Sequence, residues 1–164
     1  GRGARAGGEL SGRWGGAKTG MAYLAVRVEA DPAGARARGG AKGGGGGGPR
    51  ADWEARWMEP VPLGGELVEG PKGIREPGPG QAAVAIEELE VVVVPGLGFT
   101  RSGDRLGRGA GFYDRFLARL SPGTVTVGLA ISAQMRDDLP TEPTDRRVDW
   151  LVTEDGAADC RSAD

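Results

Sequence analysis

Large apolar residues gather in the second half of the chain, and their spacing predicts alternating strands and helices. Val91-Val92-Val93-Val94 is an unbroken β-branched run closed by Pro95-Gly96. Apolar residues without a polar alternate predict a strand buried on both faces, as in the interior of a parallel sheet. Across 111–120, Phe112, Phe116, Leu117 and Leu120 fall on one helical stripe, Asp114, Arg115 and Arg119 lie off it, and Ser121-Pro122-Gly123 ends it. Thr124 to Ile131 predicts another apolar strand, Leu139-Pro140 to Asp145 a polar loop, and Asp149 to Thr153 a last strand. Strands alternating with helices place the chain in the α/β class, with a sheet that is parallel at its centre.

The first half is less regular. Met21 to Val26 is apolar and extended in character, and Asp31-Pro32 is a good start for a short Ala/Arg helix. Residues 1–17 are Gly, Ala and Arg without a period, and 39–48 contain the run Gly43 to Gly48. Consecutive glycines lose too much backbone entropy to favour a regular element, so both stretches are expected to be loosely held. Trp53 to Pro79 is punctuated by Pro71-Lys72-Gly73 and Pro77-Gly78-Pro79, which predicts irregular loop with one short edge strand. The expected organisation is a basic arm at 1–17, an α/β domain at 18–154 with a Gly-rich loop at 39–48, and a tail at 155–164.

Charge follows the same division. Residues 1–50 hold nine Lys/Arg against three Asp/Glu, while the remainder is acidic, so the net charge of −2 conceals a polarity. Arg38-Gly39-Gly40 could contact single-stranded nucleic acid, but such segments are more often solvated linkers, and no nucleic-acid partner is expected. Two absences restrict the chemistry further. The chain has no His, which excludes Ser-His-Asp and Cys-His catalysis and an imidazole base. Its single Cys, Cys160, lies in a polar terminal stretch and can form no internal disulfide, which suits a reducing compartment. No apolar run approaches the ~20 residues needed to cross a bilayer, and no apolar signal segment is visible near the start. A soluble, cytoplasmic monomer is expected.

Candidate chemistry concentrates in Gly103-Asp104-Arg105-Leu106-Gly107-Arg108-Gly109-Ala110-Gly111-Phe112-Tyr113-Asp114, between the Val91–Val94 strand and the following helix. Backbone N–H groups ahead of a helix favour an anion, and Gly107, Gly109 and Gly111 let the chain approach phosphate oxygens without a Cβ. Arg105 and Arg108 add forked donors suited to phosphate, and Asp114 is placed to hold a divalent cation against it. The pattern is neither a Walker A loop nor a dinucleotide fingerprint. Alternating glycines also serve plain chain reversals, so a tight turn stays open as the alternative.

Pro95-Gly96-Leu97-Gly98-Phe99 followed by Gly103 to Asp114 resembles the signature stretch of the 5-formyltetrahydrofolate cyclo-ligase (methenyltetrahydrofolate synthetase) family. Gly73-Ile74 with Glu76-Pro77, Tyr23-Leu24 with Glu29, and Gln134, Leu139-Pro140, Asp145 and Asp149 fall in that family's order, so the resemblance runs from about Lys18 to Glu154. It implies a three-layer, Rossmann-like domain. It also implies an ATP- and Mg²⁺-dependent ligase of one-carbon metabolism that closes 5-formyltetrahydrofolate to 5,10-methenyltetrahydrofolate with release of ADP and phosphate. Carried over by position, ATP would contact Arg105, Leu106, Gly107, Arg108, Gly109, Ala110, Gly111, Phe112 and Tyr113. Folate would contact Leu24, Glu29 and Arg108 to Phe112, magnesium would bind Asp114 and Asp145, and Arg108 would serve catalysis.

The chain departs from the family in three places. Residues 1–16 do not reproduce its first helix with a Lys and an Arg, Ala33 to Gly48 is Gly- and Arg-rich where the family has a helix and a strand, and Thr144 stands where many relatives have His. A non-catalytic folate or nucleotide-binding module of the same fold is therefore the alternative function. Among other residues, Trp150 is read as core, and Trp53, Trp57 and Met58 either wall a pterin pocket or pack a loop.

Overall fold

The computed structural model describes residues 19–22, 45–62, 65–73 and 75–162. Its strands, in chain order, are β1 (Thr19–Ala22), β2 (Gly45–Asp52), β3 (Trp57–Pro62), β4 (Leu67–Glu69), β5 (Arg75–Pro77), β6 (Val91–Val94), β7 (Gly98–Phe99) and β8 (Arg105–Leu106). Helix α1 (Phe112–Leu117) follows, then β9 (Val125–Leu129), β10 (Trp150–Thr153) and β11 (Gly156–Asp159). One sheet runs β11-β10-β9-β6-β1-β2-β3, parallel from β10 to β2 and antiparallel at both edges. The small ribbons β4–β5 and β7–β8 stand apart from it. This is the expected α/β fold with a central, largely parallel sheet.

The β-branched run explains the centre of that sheet. Val92 and Val94 pack into one cluster with Met21, Phe99, Phe116 and Leu151, whereas Val93 packs into another with Val127, Leu129 and Val152. Alternate residues of β6 thus face opposite sides, and both sides are apolar because both are covered. No helix among the described residues is long and apolar enough to cross a membrane.

Three expectations are corrected. Gly45 to Gly48 is not loop but the first half of β2, paired in parallel with β1 and antiparallel with β3. Neighbours on both sides supply ladder bonds that outweigh the entropy of the glycines, and close packing favours small residues: a Cβ on Gly47 would lie 3.3 Å from the Val61 carbonyl oxygen. Trp53 to Pro79 holds β3, β4 and β5 rather than one edge strand. The 155–164 stretch carries β11, which pairs with β10 from Trp150↔Asp159 to Thr153↔Gly156. Cys160 follows it into the core, where burial, and then the charges of Asp159 and Asp149, push its thiol up to about 11. That shift favours the protonated thiol, the less nucleophilic form, at neutral pH.

Phe99 is fully buried and fills the space left by the missing side chain of Gly128, where a Cβ would lie 2.7 Å from its ring and 3.1 Å from Leu151 Cδ1. Gly128→Ala should accordingly lower the free energy of unfolding by about 1–3 kcal/mol, measured by urea titration, because neither neighbour has room to retreat.

Candidate active site at the carboxyl end of β6

The sheet changes direction of growth at β1 and β6: the chain first adds β2 and β3 on one side of β1, then returns to place β6, β9 and β10 on the other. Crevices at the carboxyl ends of strands flanking such a switch are where open α/β sheets bind ligands. The carboxyl end of β6 runs directly into Pro95-Gly96 and the Gly-rich loop.

The entrance of the loop is fixed by buried groups. A Cβ on Gly96 would lie 2.7 Å from the Phe99 ring, so loop and ring fit only together. Buried Gln134 donates from Nε2 to the Gly96 carbonyl at 3.0 Å, while its Oε1 accepts from the Ile131 N–H at 3.0 Å. Leu97 N–H donates to the Leu106 carbonyl at 2.8 Å, closing the β7–β8 ribbon. Beyond β8 the glycines have separate causes. Gly109 (φ 87°) and Gly111 (φ 73°) adopt left-handed conformations in open space, whereas a Cβ on Gly107 would lie 2.8 Å from Arg105 Nη1. Gly107 leaves room beside the Arg105 guanidinium, which a Cβ there would have to displace.

Arg105 and Arg108, alike in the sequence, are placed oppositely. Arg108 is exposed on the loop. Arg105 turns inward, with its side chain 6% exposed, donating from Nη1 to the Pro95 carbonyl at 3.2 Å and from Nη2 to Asp114 Oδ1 at 3.2 Å. Asp114 lies in the first turn of α1, and its Oδ1 also accepts the Arg146 N–H at 3.3 Å. That bond brings the segment carrying Asp145 against the Gly-rich loop. Asp145 Oδ2 accepts the Glu142 N–H at 2.7 Å.

A second junction reinforces the first. Val148 N–H donates to the Gly103 carbonyl at 3.0 Å, and Arg147 Nε donates to Asp104 Oδ1 at 2.9 Å. Asp104 Oδ2 accepts from the Thr100 and Ser102 hydroxyls at 3.2 and 3.1 Å. Burial alone would raise the Asp104 pKa, but the bonds from Arg147, Ser102 and Thr100 outweigh it and hold the carboxyl below its ordinary value.

Among the described residues, these bonds fall on Oδ1 of Asp114 and on Oδ2 of Asp145. Asp114 and Asp145 are the carboxylates that the Arg146 bond brings to one junction, and carboxylate oxygen is the ligand type that a hard divalent cation takes. No group of three acidic, Cys or His residues gathers for a metal among the described residues, so a fully protein-built site is not formed there.

Aromatic residues line the neighbouring side. The Trp53 and Phe112 rings meet edge to face at 5.0 Å, and Trp53 Nε1 donates to Glu76 Oε1 at 3.3 Å. Glu76 is a buried carboxylate that also accepts the Ala51 N–H at 3.3 Å. Met58 is core, but Trp57 is 45% exposed with the Arg119 guanidinium 3.2 Å from its ring centre. Trp53 therefore packs against Phe112, and Trp57 on β3 stacks with Arg119, just past the end of α1. Leu24 and Glu29 lie outside the described residues.

Sequence reasoning missed Asp104 and the brace role of Gln134. Thr100-x-Ser102-x-Asp104 does carry a local cue, since hydroxyl and carboxylate side chains at that spacing favour a side-chain-bonded turn. Arg147 lies 43 residues from Asp104, and nothing local announces the pairing.

Comparison with known proteins gives the same direction. The model of the 5-formyltetrahydrofolate cyclo-ligase family matches residues 49–154. The chain is 40% identical over 90 residues to a 5-formyltetrahydrofolate cyclo-ligase of Mycolicibacterium smegmatis, covering 54% of this chain and 46% of that protein. It is 34% identical over 122 residues to the mouse 5-formyltetrahydrofolate cyclo-ligase, covering 67% and 60%. It thus spans about half the length of the curated relatives it matches. The solved structure of Aquifex aeolicus 5,10-methenyltetrahydrofolate synthetase superposes with a TM-score of 0.82 at 29% identity, covering 98% of this chain and 81% of that one. A Mycoplasma pneumoniae 5,10-methenyltetrahydrofolate synthetase shares the fold, with a TM-score of 0.75 at 17% identity, covering 93% and 85%.

Because its folded pKa is depressed, Asp104 contributes stability that is present above the unfolded pKa and lost as pH falls through the folded one. Asp104→Asn should destabilise the protein by less than about 1 kcal/mol at neutral pH, given solvent screening at Arg147. In thermal melts, the difference from the parent should vanish below the ordinary carboxylate range.

Proposed function

Since this chain belongs to the 5-formyltetrahydrofolate cyclo-ligase family, we propose that it catalyses the ATP- and Mg²⁺-dependent cyclisation of 5-formyltetrahydrofolate to 5,10-methenyltetrahydrofolate, releasing ADP and phosphate. The observation that carries this reading is the junction at Asp114, whose carboxylate accepts the backbone N–H beside Asp145 at the mouth of the Gly-rich loop. A nucleotide bound along that loop would lie next to both carboxylates.

In the proposed reaction the formyl oxygen attacks the γ-phosphorus of ATP and the bond to ADP breaks. The second folate nitrogen then attacks the activated formyl carbon and gives up its proton to solvent, and the carbon–oxygen bond breaks with loss of phosphate. Neither step needs a protein nucleophile, which accords with a chain that has no His and a single buried thiol of raised pKa. Phosphoryl transfer is served mainly by positioning and by stabilising charge on the phosphoryl oxygens.

Each group has a role in this reading. The backbone N–H groups of Leu106 to Tyr113 cradle the phosphates. Helix α1 is only six residues long, so its dipole adds little and the loop with Arg108 supplies most of the positive potential. Asp114 and Asp145 hold Mg²⁺, which neutralises phosphate charge when bound. Phe112 packs against the folate ring beside Trp53, and Leu24 and Glu29 complete the folate contacts. Arg108, exposed where the phosphoryl group would pass, stabilises its transfer. In this reading the protein is a cytoplasmic monomer acting on a small folate; the lone Cys160, which can form no internal disulfide, suits such a reducing compartment.

Absorbance of the methenyl product, followed with and without ATP, tests the activity directly: ATP-dependent product formation is expected. Folate binding without turnover would instead favour a non-catalytic binding module of the same fold. Arg108→Ala should lower kcat by roughly two to three orders of magnitude with a smaller effect on folate binding. A raised KM at near-normal kcat would remove Arg108 from catalysis. Asp114→Asn should weaken MgATP binding while leaving the thermal midpoint within a few degrees of the parent; unchanged MgATP affinity by calorimetry would refute the metal assignment.

A further inference from the structure

We propose that Arg105 is a positioning residue inside the Gly-rich loop, shaping it and aiming the Asp114 carboxylate before any nucleotide arrives, rather than a phosphate ligand. The inference deepens the function proposed above and rests on it for the role of Asp114. The internal brace stands on the geometry of the loop alone.

The side chain of Arg105 is 6% exposed, so its guanidinium has little surface to offer a nucleotide. Its two terminal nitrogens are already committed. Nη1 donates to the carbonyl of Pro95, where β6 ends, and Nη2 donates to Asp114, where α1 begins. One planar fork therefore ties together the two ends of the loop, from Pro95 to Asp114. The Tyr113 ring lies alongside, with its centre 5.8 Å from the guanidinium carbon.

The glycines around Arg105 fit this arrangement. A Cβ on Gly107 would lie 2.8 Å from Nη1, and one on Gly96 would lie 3.1 Å from the Arg105 Cγ. The loop thus encloses the side chain at both its stem and its head. A buried guanidinium is tolerated only when paired, and Asp114 is the carboxylate that pairs it. Its Nε is buried without a partner among the described residues, a cost that a side chain free to reach solvent would escape by turning outward.

Arg105 and the Arg146 N–H both hold Asp114 Oδ1, which anchors that oxygen and restricts where Oδ2 can point. Partners that orient a metal ligand from behind typically matter about 10–100-fold in metal affinity. Lysine cannot replace this function, because an ammonium is a point charge and cannot span the Pro95 carbonyl and Asp114 with a rigid fork.

Two variants and two measurements test the proposal on the full chain. Arg105→Lys keeps the charge and removes the fork; Gly107→Ala keeps Arg105 and pushes a methyl group against Nη1. Amide hydrogen exchange of the ligand-free protein reads the loop itself, and calorimetry reads the ratio of affinities for MgATP and metal-free ATP. We expect both variants to speed exchange across 106–114 without nucleotide, and to shrink the affinity ratio by roughly 10-fold. Unchanged ligand-free exchange, with both affinities falling equally and the ratio preserved, would make Arg105 a phosphate ligand and overturn the proposal. If Arg105→Lys fails to fold, Gly107→Ala decides. If the parent binds no ATP, the function proposed above fails, and exchange alone still decides: faster exchange in the variants upholds the brace, unchanged exchange refutes it.

Discussion

The contact on which the rest of the structure depends is the Phe99 ring lodged between Gly96 and Gly128. A Cβ on either glycine would lie 2.7 Å from that ring, so the sheet at β9 and the exit of β6 are shaped around a single side chain. Phe99 also passes its position on through the backbone, because its carbonyl accepts the Arg136 N–H at 2.8 Å and it bridges to Met135. Gln134 then reaches back to the Gly96 carbonyl. The loop that carries the candidate chemistry is thus mounted on a fully buried ring and a buried amide. A densely packed interior leaves such a mount little freedom, which is what a site requiring accurate placement needs.

Charge is organised around the same mount. Asp104 and Asp114 each join the Gly-rich loop to the 145–148 segment, the first through the Arg147 side chain and the second through the Arg146 backbone. Arg105 pairs inward with Asp114 and Arg108 stays exposed, so two arginines three positions apart divide support from exposure. With no His in the chain, the chemistry falls to carboxylates, guanidinium groups and backbone N–H groups. That is sufficient for the phosphoryl transfer we propose, in which the reacting groups belong to the substrates.

The second half of the chain was legible because local and tertiary preferences agree there. Val91 to Val94 forms β6, the apolar stripe through Phe112, Phe116 and Leu117 forms α1, and the run after Thr124 forms β9. Where they disagree, local reading fails. Gly45 to Gly48 has every intrinsic reason to be loop, yet it is held between β1 and β3 by bonds whose partners are distant in sequence. The weakly apolar Gly156 to Asp159 similarly becomes a strand only because β10 presents an edge to it.

By itself, the sequence determined the fold class, the family resemblance and the place of the candidate loop, because each is written in short-range patterns: a β-branched run, a helical period, a spacing of glycines and arginines. Only the tertiary structure decided what each loop residue does. Gly107 and Gly109 look alike as letters, but one makes room for a guanidinium and the other adopts a left-handed backbone. Arg105 and Arg108 look alike too, and are separated by burial. The pairings Asp104–Arg147 and Asp114–Arg146 span 43 and 32 residues. Such contacts arise from how strands are ordered in a sheet, and no local spacing encodes that order.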